Sequence, residues 1–509
     1  MKTGKLLLAS VFIFVLFFFT RFHRLTEIPL YPDEITWMVR SKETALAIRT
    51  LNFDFFKSAW WNLPGDTEAI GLPLTGLVGF PLIYLAKDQS VLSFNLFQDY
   101  VVGRTSVIVF ASFFMVAFFL LVKKAFGGKV ALISSLLLVF DPVFASNSKM
   151  IMNDIILTSF MFLSVATYVL LEKKPWSVFL PAFFLAASFL TKPNGLLVIP
   201  ILVIQIWLNG NVKEELKKFF AVLATAGIFV AIFWPGFWYG QLGAVFDYVF
   251  RQGALVGGGI NNFYAGQLTN NPPFSYYPFE LLTRLPPLIL FAFGLGIFSL
   301  NSLKRSQKAF RLGIVSLVFI LFFIVGMSFF PKKLGARYIL PVWPWVYLVA
   351  SIGIVNVIQK LKNSFLAKAF VVGIFVWSVT AFVIFFPNHH LYYSMLVGGP
   401  GSVQKHNLVG LCSGSKAAVD YLLRCYPQVE RISAIGCGNS TIPYYYPHPY
   451  KLDWQKAPSF VVEDYYLKLK KDPELNEFYN IYKPTHTLTA NGANLSHIYI
   501  RGDFENKCK

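Results

Sequence analysis

Charged residues with catalytic potential stand at the ends of apolar segments in this chain. Ionisable groups close to hydrocarbon are costly, so those that occur there usually serve a function. Four stretches supply them: Asp33 and Glu34 after the first apolar segment, Asp154 at the start of a later one, Lys192 between two more, and the cluster Lys332, Lys333, Arg337 and Tyr338. These residues are the first candidates for a site.

Together they suit the transfer of a group from a phosphate ester to a hydroxyl. A carboxylate can take the proton of an acceptor hydroxyl, and cations can stabilise a departing phosphate. We assign the three acidic residues to catalysis, and Lys192 and the Lys332–Tyr338 cluster to the donor phosphate. Asp33 is favoured as the base, because adjacent side chains point in different directions and Glu34 then has another role. Lysine and arginine pair with phosphate directly, so no metal is obligatory, although a divalent ion stays open.

A simpler interpretation gives the same residues structural tasks. Asp33 and Glu34 would form a solvated cap, Asp154 would cap its helix, and the basic side chains would reach lipid headgroups. The two interpretations differ in one geometric respect. Only the first requires these residues to converge around a single cavity on the outer side.

The composition indicates a membrane protein. Of 509 residues, 55% are hydrophobic and only 14% are charged, and 54 are phenylalanine, more than a water-soluble enzyme needs. Several apolar runs approach the ~20 residues that cross a bilayer as a helix. We expect about eleven transmembrane helices, near 5–21, 105–122, 130–147, 154–171, 176–190, 194–208, 219–236, 286–302, 311–329, 339–358 and 369–386.

The distribution of basic residues predicts the orientation. A net charge of +19 would suggest nucleic acid in a soluble protein, but here the lysines and arginines cluster in short connectors between spans. Cytoplasmic connectors carry such clusters, so we expect no nucleic-acid partner and a cytoplasmic N-terminus. With an odd number of spans, the C-terminal segment lies outside.

Two long outer connections are expected, at 22–104 and 237–285. In the first, the short, proline-containing run 71–86 is interpreted as an interfacial helix, and Ser41–Thr50 and Phe53–Trp61 as short amphipathic helices. Loops of this length are usually functional. Their candidate acceptor or loop-site residues are Glu68, Tyr264, Tyr276 and Tyr277.

The last part of the chain, 391–509, has a different character from the membrane region at 1–390. Short β-type runs alternate with helical patterns, which predicts a small α/β domain on the extracytoplasmic side. All four cysteines lie there: Cys412, Cys425, Cys437 and Cys508. This suggests disulfides in an oxidising compartment, and three pairings are open.

In order and spacing, the candidate motifs resemble the polytopic GT-C glycosyltransferases of the protein O-mannosyltransferase and aminoarabinose transferase type. Tyr31-Pro32-Asp33-Glu34 is similar to the family's Asp-Glu motif, and Phe140-Asp141-Pro142 with Lys149–Asp154 is similar to a following segment. Leu190–Gly195, Phe263–Pro278 and Lys333–Pro341 resemble later family patterns. At Glu68–Pro73 the chain lacks the family's Lys or His, so the other basic residues would carry more of the phosphate charge.

The resemblance implies inverting transfer of a single sugar from a polyprenyl or dolichyl phosphate carrier. The acceptor would be a hydroxyl of a protein or a glycolipid on the extracytoplasmic face of a membrane, with the cell membrane favoured. A transporter or flippase for a lipid-linked or anionic substrate is the alternative, but its ionisable residues would usually lie at mid-membrane. A membrane-anchored binding protein would need only one or two spans.

Overall fold

The computed structural model describes residues 3–51, 71–85, 96–171, 176–234, 258–362, 364–442, 445–446, 453–501 and 504–508. Most of these residues are helical. The helices before residue 390 are α1 Thr3–Phe22, α2 Pro32–Thr50, α3 Leu72–Leu85, α4 Leu96–Phe126, α5 Gly128–Val139, α6 Pro142–Asn147, α7 Asn153–Leu170, α8 Trp176–Thr191, α9 Val198–Asn209, α10 Val212–Phe233, α11 Tyr276–Arg284, α12 Pro287–Ser299, α13 Gln307–Phe329, α14 Trp343–Lys360 and α15 Phe365–Ile384.

Eight helices in the described part of the chain are long and apolar enough to cross a membrane. They are α1, α4, α7, α10, α13 and α15, together with α12 and α14 counted with their adjoining 3-10 turns. Each of the eleven expected spans contains a helix, but three of these helices, α5, α8 and α9, are shorter. The chain is a polytopic integral membrane protein.

The expected span 130–147 is wrong as a single helix. Helix α5 ends at Val139, and Asp141 begins a new helix by accepting a hydrogen bond from the Phe144 N–H at 2.6 Å. Pro142 stands at the first position of α6, where its missing N–H costs nothing. Tyr347 donates to the second Asp141 oxygen at 2.6 Å, so this break is anchored to α14.

The first outer connection also differs from expectation. Ser41–Thr50 is not a separate helix but the second half of α2, which begins at Pro32 because Tyr31 and Glu34 form a reciprocal capping interaction. The run 71–86 forms a helix, as expected, and this helix, α3, packs against α2. A Cβ at Gly79 would lie 2.6 Å from the Ser41 carbonyl oxygen, so the two helices are in close contact. Phe53–Trp61 lies outside the described residues.

The membrane core is built around α7 and α14. Every residue of α7 is buried, and Trp343 and Trp345 of α14 are fully enclosed. Glycines allow α12 and α14 to touch along their backbones, because a Cβ at Gly296 would lie 2.0 Å from the Val349 carbonyl oxygen. The segments that come directly before α7 and α14 in the chain are therefore attached to this core.

A small α/β domain follows α15, as predicted. Its sheet has the order β3-β4-β6-β5, formed by β3 Ile432–Ile435, β4 Ser459–Glu463, β5 His486–Ala490 and β6 Ala493–Ile500. Strands β3 and β4 run parallel, whereas β6 is antiparallel to both of its neighbours. A separate hairpin, β1 Asn262–Tyr264 with β2 Gln267–Thr269, belongs to the second outer connection. The domain's helices are α16 Gly399–Gln404, α17 Ser415–Cys425, α18 Gly438–Thr441, α19 Asp464–Lys468 and α20 Pro473–Ile481.

Two disulfides close this domain. Of the three pairings open from the sequence, the structure has Cys412 with Cys437 and Cys425 with Cys508. The second joins α17 to the C-terminal segment across 83 residues. Cys412 also packs against Tyr31 and Met152, so the first disulfide lies where the domain meets the outer loops.

We predict that the double variant Cys425→Ser with Cys508→Ser lowers the free energy of unfolding of the domain by about 2–5 kcal/mol, because the unfolded chain regains the freedom of a long closed loop. Denaturant unfolding of the purified protein, followed by protease sensitivity of the domain, measures the change. Peptide mapping without reductant should recover both bridges. A Cys412–Cys425 peptide would contradict this arrangement.

Candidate functional site

A polar pocket of about 260 Å³ lies where five separate segments meet. The segments are the first turns of α2, the start of α7, the turn after α8, the stretch around Ile260 and the stretch before α14. The pocket walls include six of the predicted residues: Asp33, Asp154, Lys192, Lys332, Arg337 and Tyr338. These residues converge although they are far apart in the sequence. Asp33 and Arg337, which share a hydrogen bond, are separated by 304 positions.

Two ion pairs organise the pocket. Arg337 donates from Nη1 to Asp33 Oδ2 at 2.8 Å. Lys192 donates from Nζ to Asp154 Oδ1 at 3.2 Å, and its ammonium lies 4.3 Å from the centre of the Tyr338 ring. Besides these two pairs, Arg40 and Lys332 line the cavity, so basic side chains outnumber the carboxylates and can balance the charge of an incoming anion.

The environment of Asp33 favours its ionised form. Burial by itself raises the pKa of this carboxyl, but the nearby Arg337, with Lys192 and Lys332 behind it, lowers the pKa below the ordinary value. About half of the Asp33 side chain stays accessible. Burial by itself lowers the pKa of Lys192, but the nearby Asp154 and Tyr338 raise the pKa above its ordinary value. The lysine therefore stays a cation. The pocket thus holds an exposed carboxylate beside fixed positive charge.

Glu34 does not belong to the pocket, contrary to its predicted place among the catalytic residues. It is fully buried, and Arg104 donates to both of its oxygens, from Nε at 2.9 Å and from Nη2 at 2.7 Å. The backbone N–H groups of Tyr31 and Ile151 also donate to it. Successive helical residues are turned by about 100°, so Asp33 faces the cavity while Glu34 faces the core.

Arg104, which the sequence reasoning missed, completes this buried cluster. Besides Glu34 it binds three carbonyl oxygens of the loop before α2: those of Leu25, Ile28 and Pro29. Because Glu34 also holds the Ile151 N–H, one ion pair fixes both the start of α2 and the turn before α7. The available signal in the sequence was an arginine directly next to a long apolar run. The expected span began at residue 105, so Arg104 was left out of the helix.

Lys333 is also outside the pocket, in contrast to its predicted role at the donor phosphate. Its buried ammonium donates to the Pro272 carbonyl oxygen at 2.8 Å, and its own carbonyl oxygen accepts from Asn262 at 2.9 Å. Neighbouring residues of an extended segment point to opposite sides. Lys332 therefore lines the cavity, while Lys333 ties the segment to the second outer connection.

The tyrosines predicted as acceptor or loop-site residues support the basic segment and do not line the pocket. The Tyr276 hydroxyl accepts a hydrogen bond from the Gly335 N–H at 2.8 Å, and the ring of Tyr264 packs against Tyr276 at 5.1 Å between centres. Tyr277 is fully buried. These contacts hold the loop that carries Lys332 and Arg337. Glu68 lies outside the described residues.

Seven lining residues were absent from the predicted site, among them Trp37, Arg40 and Asn153. Trp37 and Arg40 follow Asp33 at positions i+4 and i+7, which is one face of α2. This spacing was readable in the sequence, but the helix had been expected to begin at Ser41. The Arg40 guanidinium carbon lies 4.8 Å from the centre of the Trp37 ring.

An apolar cavity of about 1050 Å³ opens beside the polar pocket. Helices α3, α4, α8 and α10 line it, with side chains such as Leu77, Phe110 and Phe229. Leu72 and Leu190 form part of its wall, and close to them the Gly71 N–H donates to the Thr191 carbonyl oxygen at 3.2 Å. Since Lys192 follows directly, the apolar cavity ends next to the cations of the pocket.

Comparison with known proteins bears on the fold. A family model described as dolichyl-phosphate-mannose-protein mannosyltransferase matches residues 91–239. The structure of ArnT from Cupriavidus metallidurans bound to undecaprenyl phosphate superposes with a TM-score of 0.52 at 13% identity, covering 99% of this chain and 100% of that one. None of the curated proteins matches the sequence.

A second solved structure is the archaeal oligosaccharyltransferase AglB from Archaeoglobus fulgidus, in complex with an inhibitory peptide and a dolichol-phosphate. It matches with a TM-score of 0.51 at 12% identity, over 88% of this chain and 60% of that one. The fold is thus that of the GT-C glycosyltransferases. The resemblance and the fold class predicted from the motifs are confirmed.

We predict that Glu34→Gln lowers the free energy of unfolding by about 3–5 kcal/mol, because Arg104 is then left as a buried charge without its partner. Thermal unfolding of the detergent-solubilised protein measures the loss. Asp33→Asn, one residue away and half exposed, is the matched control and should change stability little. Equal midpoints for the two variants would contradict the assignment of Glu34 to the core.

Proposed function

We propose that the protein transfers a single sugar from a polyprenyl or dolichyl phosphate carrier to an acceptor hydroxyl on the extracytoplasmic face of its membrane. The observation that carries this proposal is that the apolar cavity and the charged pocket lie close together, since Leu190 of the cavity and Lys192 of the pocket are two residues apart. A lipid phosphate sugar has an apolar tail, an anionic link and a polar head. The cavity suits the tail, the cations of Lys192 and Lys332 suit the phosphate, and the pocket beyond has room for a small polar group.

The ligands in the two similar solved structures support the proposal that the apolar cavity receives a lipid tail and the cations receive its phosphate. The ArnT structure holds undecaprenyl phosphate, and the AglB structure holds a dolichol-phosphate and a peptide. Undecaprenyl phosphate and dolichol-phosphate are both isoprenoid phosphates. In this chain the apolar cavity would bind the isoprenoid tail, and the nearby cations would bind the phosphate. For the acceptor of this chain we keep both a protein hydroxyl and a glycolipid hydroxyl.

In the proposed reaction, Asp33 takes the proton of the acceptor hydroxyl while the acceptor oxygen attacks the anomeric carbon. The bond from that carbon to the phosphate oxygen breaks, and the phosphate leaves with its lipid. Attack from the face opposite the phosphate inverts the configuration. Because the charge that develops on the phosphate meets fixed cations, part of the barrier is removed electrostatically.

Arg337 and Asp154 act on the neighbours they contact. Arg337 keeps Asp33 ionised and oriented, and a bound phosphate that shares its guanidinium would weaken this hold and make Asp33 a stronger base. Asp154 fixes the Lys192 ammonium at the pocket wall. With side-chain cations in place, the proposed reaction has no obligatory metal.

The proposed orientation places the pocket and the α/β domain outside and the N-terminus in the cytoplasm. Lysine-rich connectors predict this arrangement. The two disulfides of the domain are consistent with it, because such bonds persist in oxidising compartments.

We predict that Asp33→Asn lowers transfer by about 100- to 10,000-fold while donor binding is retained, because the amide cannot accept the proton. The assay incubates membranes that contain the protein and supply the acceptor with a panel of labelled polyprenyl phosphate sugars and measures release of free polyprenyl phosphate, with donor affinity measured separately. Wild-type protein that releases no lipid phosphate from any donor would refute the proposed function. Full turnover by the variant would remove Asp33 from the role of base.

A second prediction concerns the carrier tail. Gly76 lines the apolar cavity and a Cβ there would meet open space, so Gly76→Leu should fold normally and fill part of the cavity. We expect the KM for a long-chain donor to rise about tenfold, and the KM for a short-chain donor to stay unchanged.

The matched control for this variant is Gly326→Leu. A Cβ at Gly326 also meets open space, but the residue lies on α13, which contributes no side chain to this cavity. Its KM should not depend on chain length. If Gly76→Leu affects both donor lengths equally, the tail does not occupy the cavity.

A further inference from the structure

Asn153 brings an unused hydrogen-bond acceptor to the pocket. The residue is the first of α7, lines the cavity and is 4% exposed. Its Oδ1 is buried and has no hydrogen-bond partner among the residues that the structure describes. A buried polar atom without a partner is destabilising. Because this atom belongs to a residue that lines the pocket, it points to a ligand group that completes it.

The type of atom restricts the ligand group. A phosphate presents acceptor oxygens, which a carbonyl oxygen repels, and the cations of the pocket already suit it. The proton of the acceptor hydroxyl is directed to Asp33 in the proposed reaction. What remains is a hydroxyl of the transferred sugar, which donates a hydrogen bond and is held within the same pocket.

Trp37 adds an aromatic surface next to this acceptor. Gly71 lies against both residues: a Cβ built on it would be 2.2 Å from Trp37 Cζ3 and 3.2 Å from Asn153 Nδ2. The backbone of Gly71 has φ +62°, a conformation that glycine adopts without strain. An indole surface can pack on the C–H face of a sugar ring, while the amide selects one hydroxyl.

We propose that Asn153 and Trp37 form the sugar-recognition subsite of the pocket, with Asn153 Oδ1 accepting a hydrogen bond from one hydroxyl of the donor sugar and Trp37 supporting its apolar face. This rests on the proposed glycosyl transfer and adds the residues that determine sugar specificity. The predicted donor is a sugar that carries a hydroxyl at the position read by Asn153. Donors deoxygenated there are discriminated against.

The test combines a protein change with a substrate change. From the panel of polyprenyl phosphate sugars, the sugar with the fastest turnover is taken and its monodeoxy donors are prepared. With wild-type protein, one monodeoxy donor should lose at least about tenfold in kcat/KM. In Asn153→Ala, the parent donor should lose a similar factor, and the same monodeoxy donor should lose little more, because the contact is already gone.

Four further variants test the interpretation. Asn153→Asp keeps an acceptor oxygen and should keep the discrimination, which also covers the case that the alanine variant fails to fold. Asn194→Ala removes an amide that donates to Met327 Sδ and does not line the pocket, so this variant should also keep the discrimination between the two donors. Trp37→Leu should raise the KM for every donor, and Trp37→Phe should restore most of the loss.

The outcomes separate the two proposals. If no donor reacts with the wild type, glycosyl transfer itself is refuted. If donors react and Asn153→Ala still penalises the same monodeoxy donor as strongly as the wild type does, Asn153 does not read the sugar and this inference fails.

Discussion

The buried pair of Glu34 and Arg104 is the interaction on which the candidate site depends. Arg104 stands on a membrane helix and binds the carbonyl oxygens of the loop before α2, while Glu34 holds the first N–H groups of two segments. A buried ion pair is favourable only when its remaining hydrogen bonds are satisfied. Here they are satisfied by backbone, so the pair determines where Asp33 and Asp154 stand.

A second constraint is charge balance within the pocket. Each carboxylate has a cation within hydrogen-bond distance before any substrate is present. This makes a site with several buried charges stable, and it requires an incoming phosphate to share cations that already have partners. Binding of the anion would therefore alter the electrostatic surroundings of the carboxylate. Substrate binding and activation of the base would be coupled through the same side chains.

The α/β domain takes part in the same arrangement. The Tyr445 hydroxyl accepts a hydrogen bond from the Leu30 N–H, and Cys412 packs beside Tyr31. The loop before α2 is thus bound by Arg104 of helix α4 and is also contacted by the α/β domain. Because the Cys412–Cys437 bridge lies at this contact, the covalent structure of the domain supports the position of α2.

The sequence by itself determined the membrane class, the position of the long apolar helices and the chemistry of the candidate residues, because apolar length and charge type are local properties. It also identified six of the residues that line the pocket, including Asp33, Lys192 and Arg337. It favoured Asp33 over Glu34 as the base but kept Glu34 among the catalytic residues, and it did not separate Lys332 from Lys333, since neighbours of like charge differ only in the direction that the packed backbone gives them. Asn153 and Trp37 escaped for the same reason: an amide and an indole acquire meaning only when distant segments, here joined at Gly71, enclose one cavity.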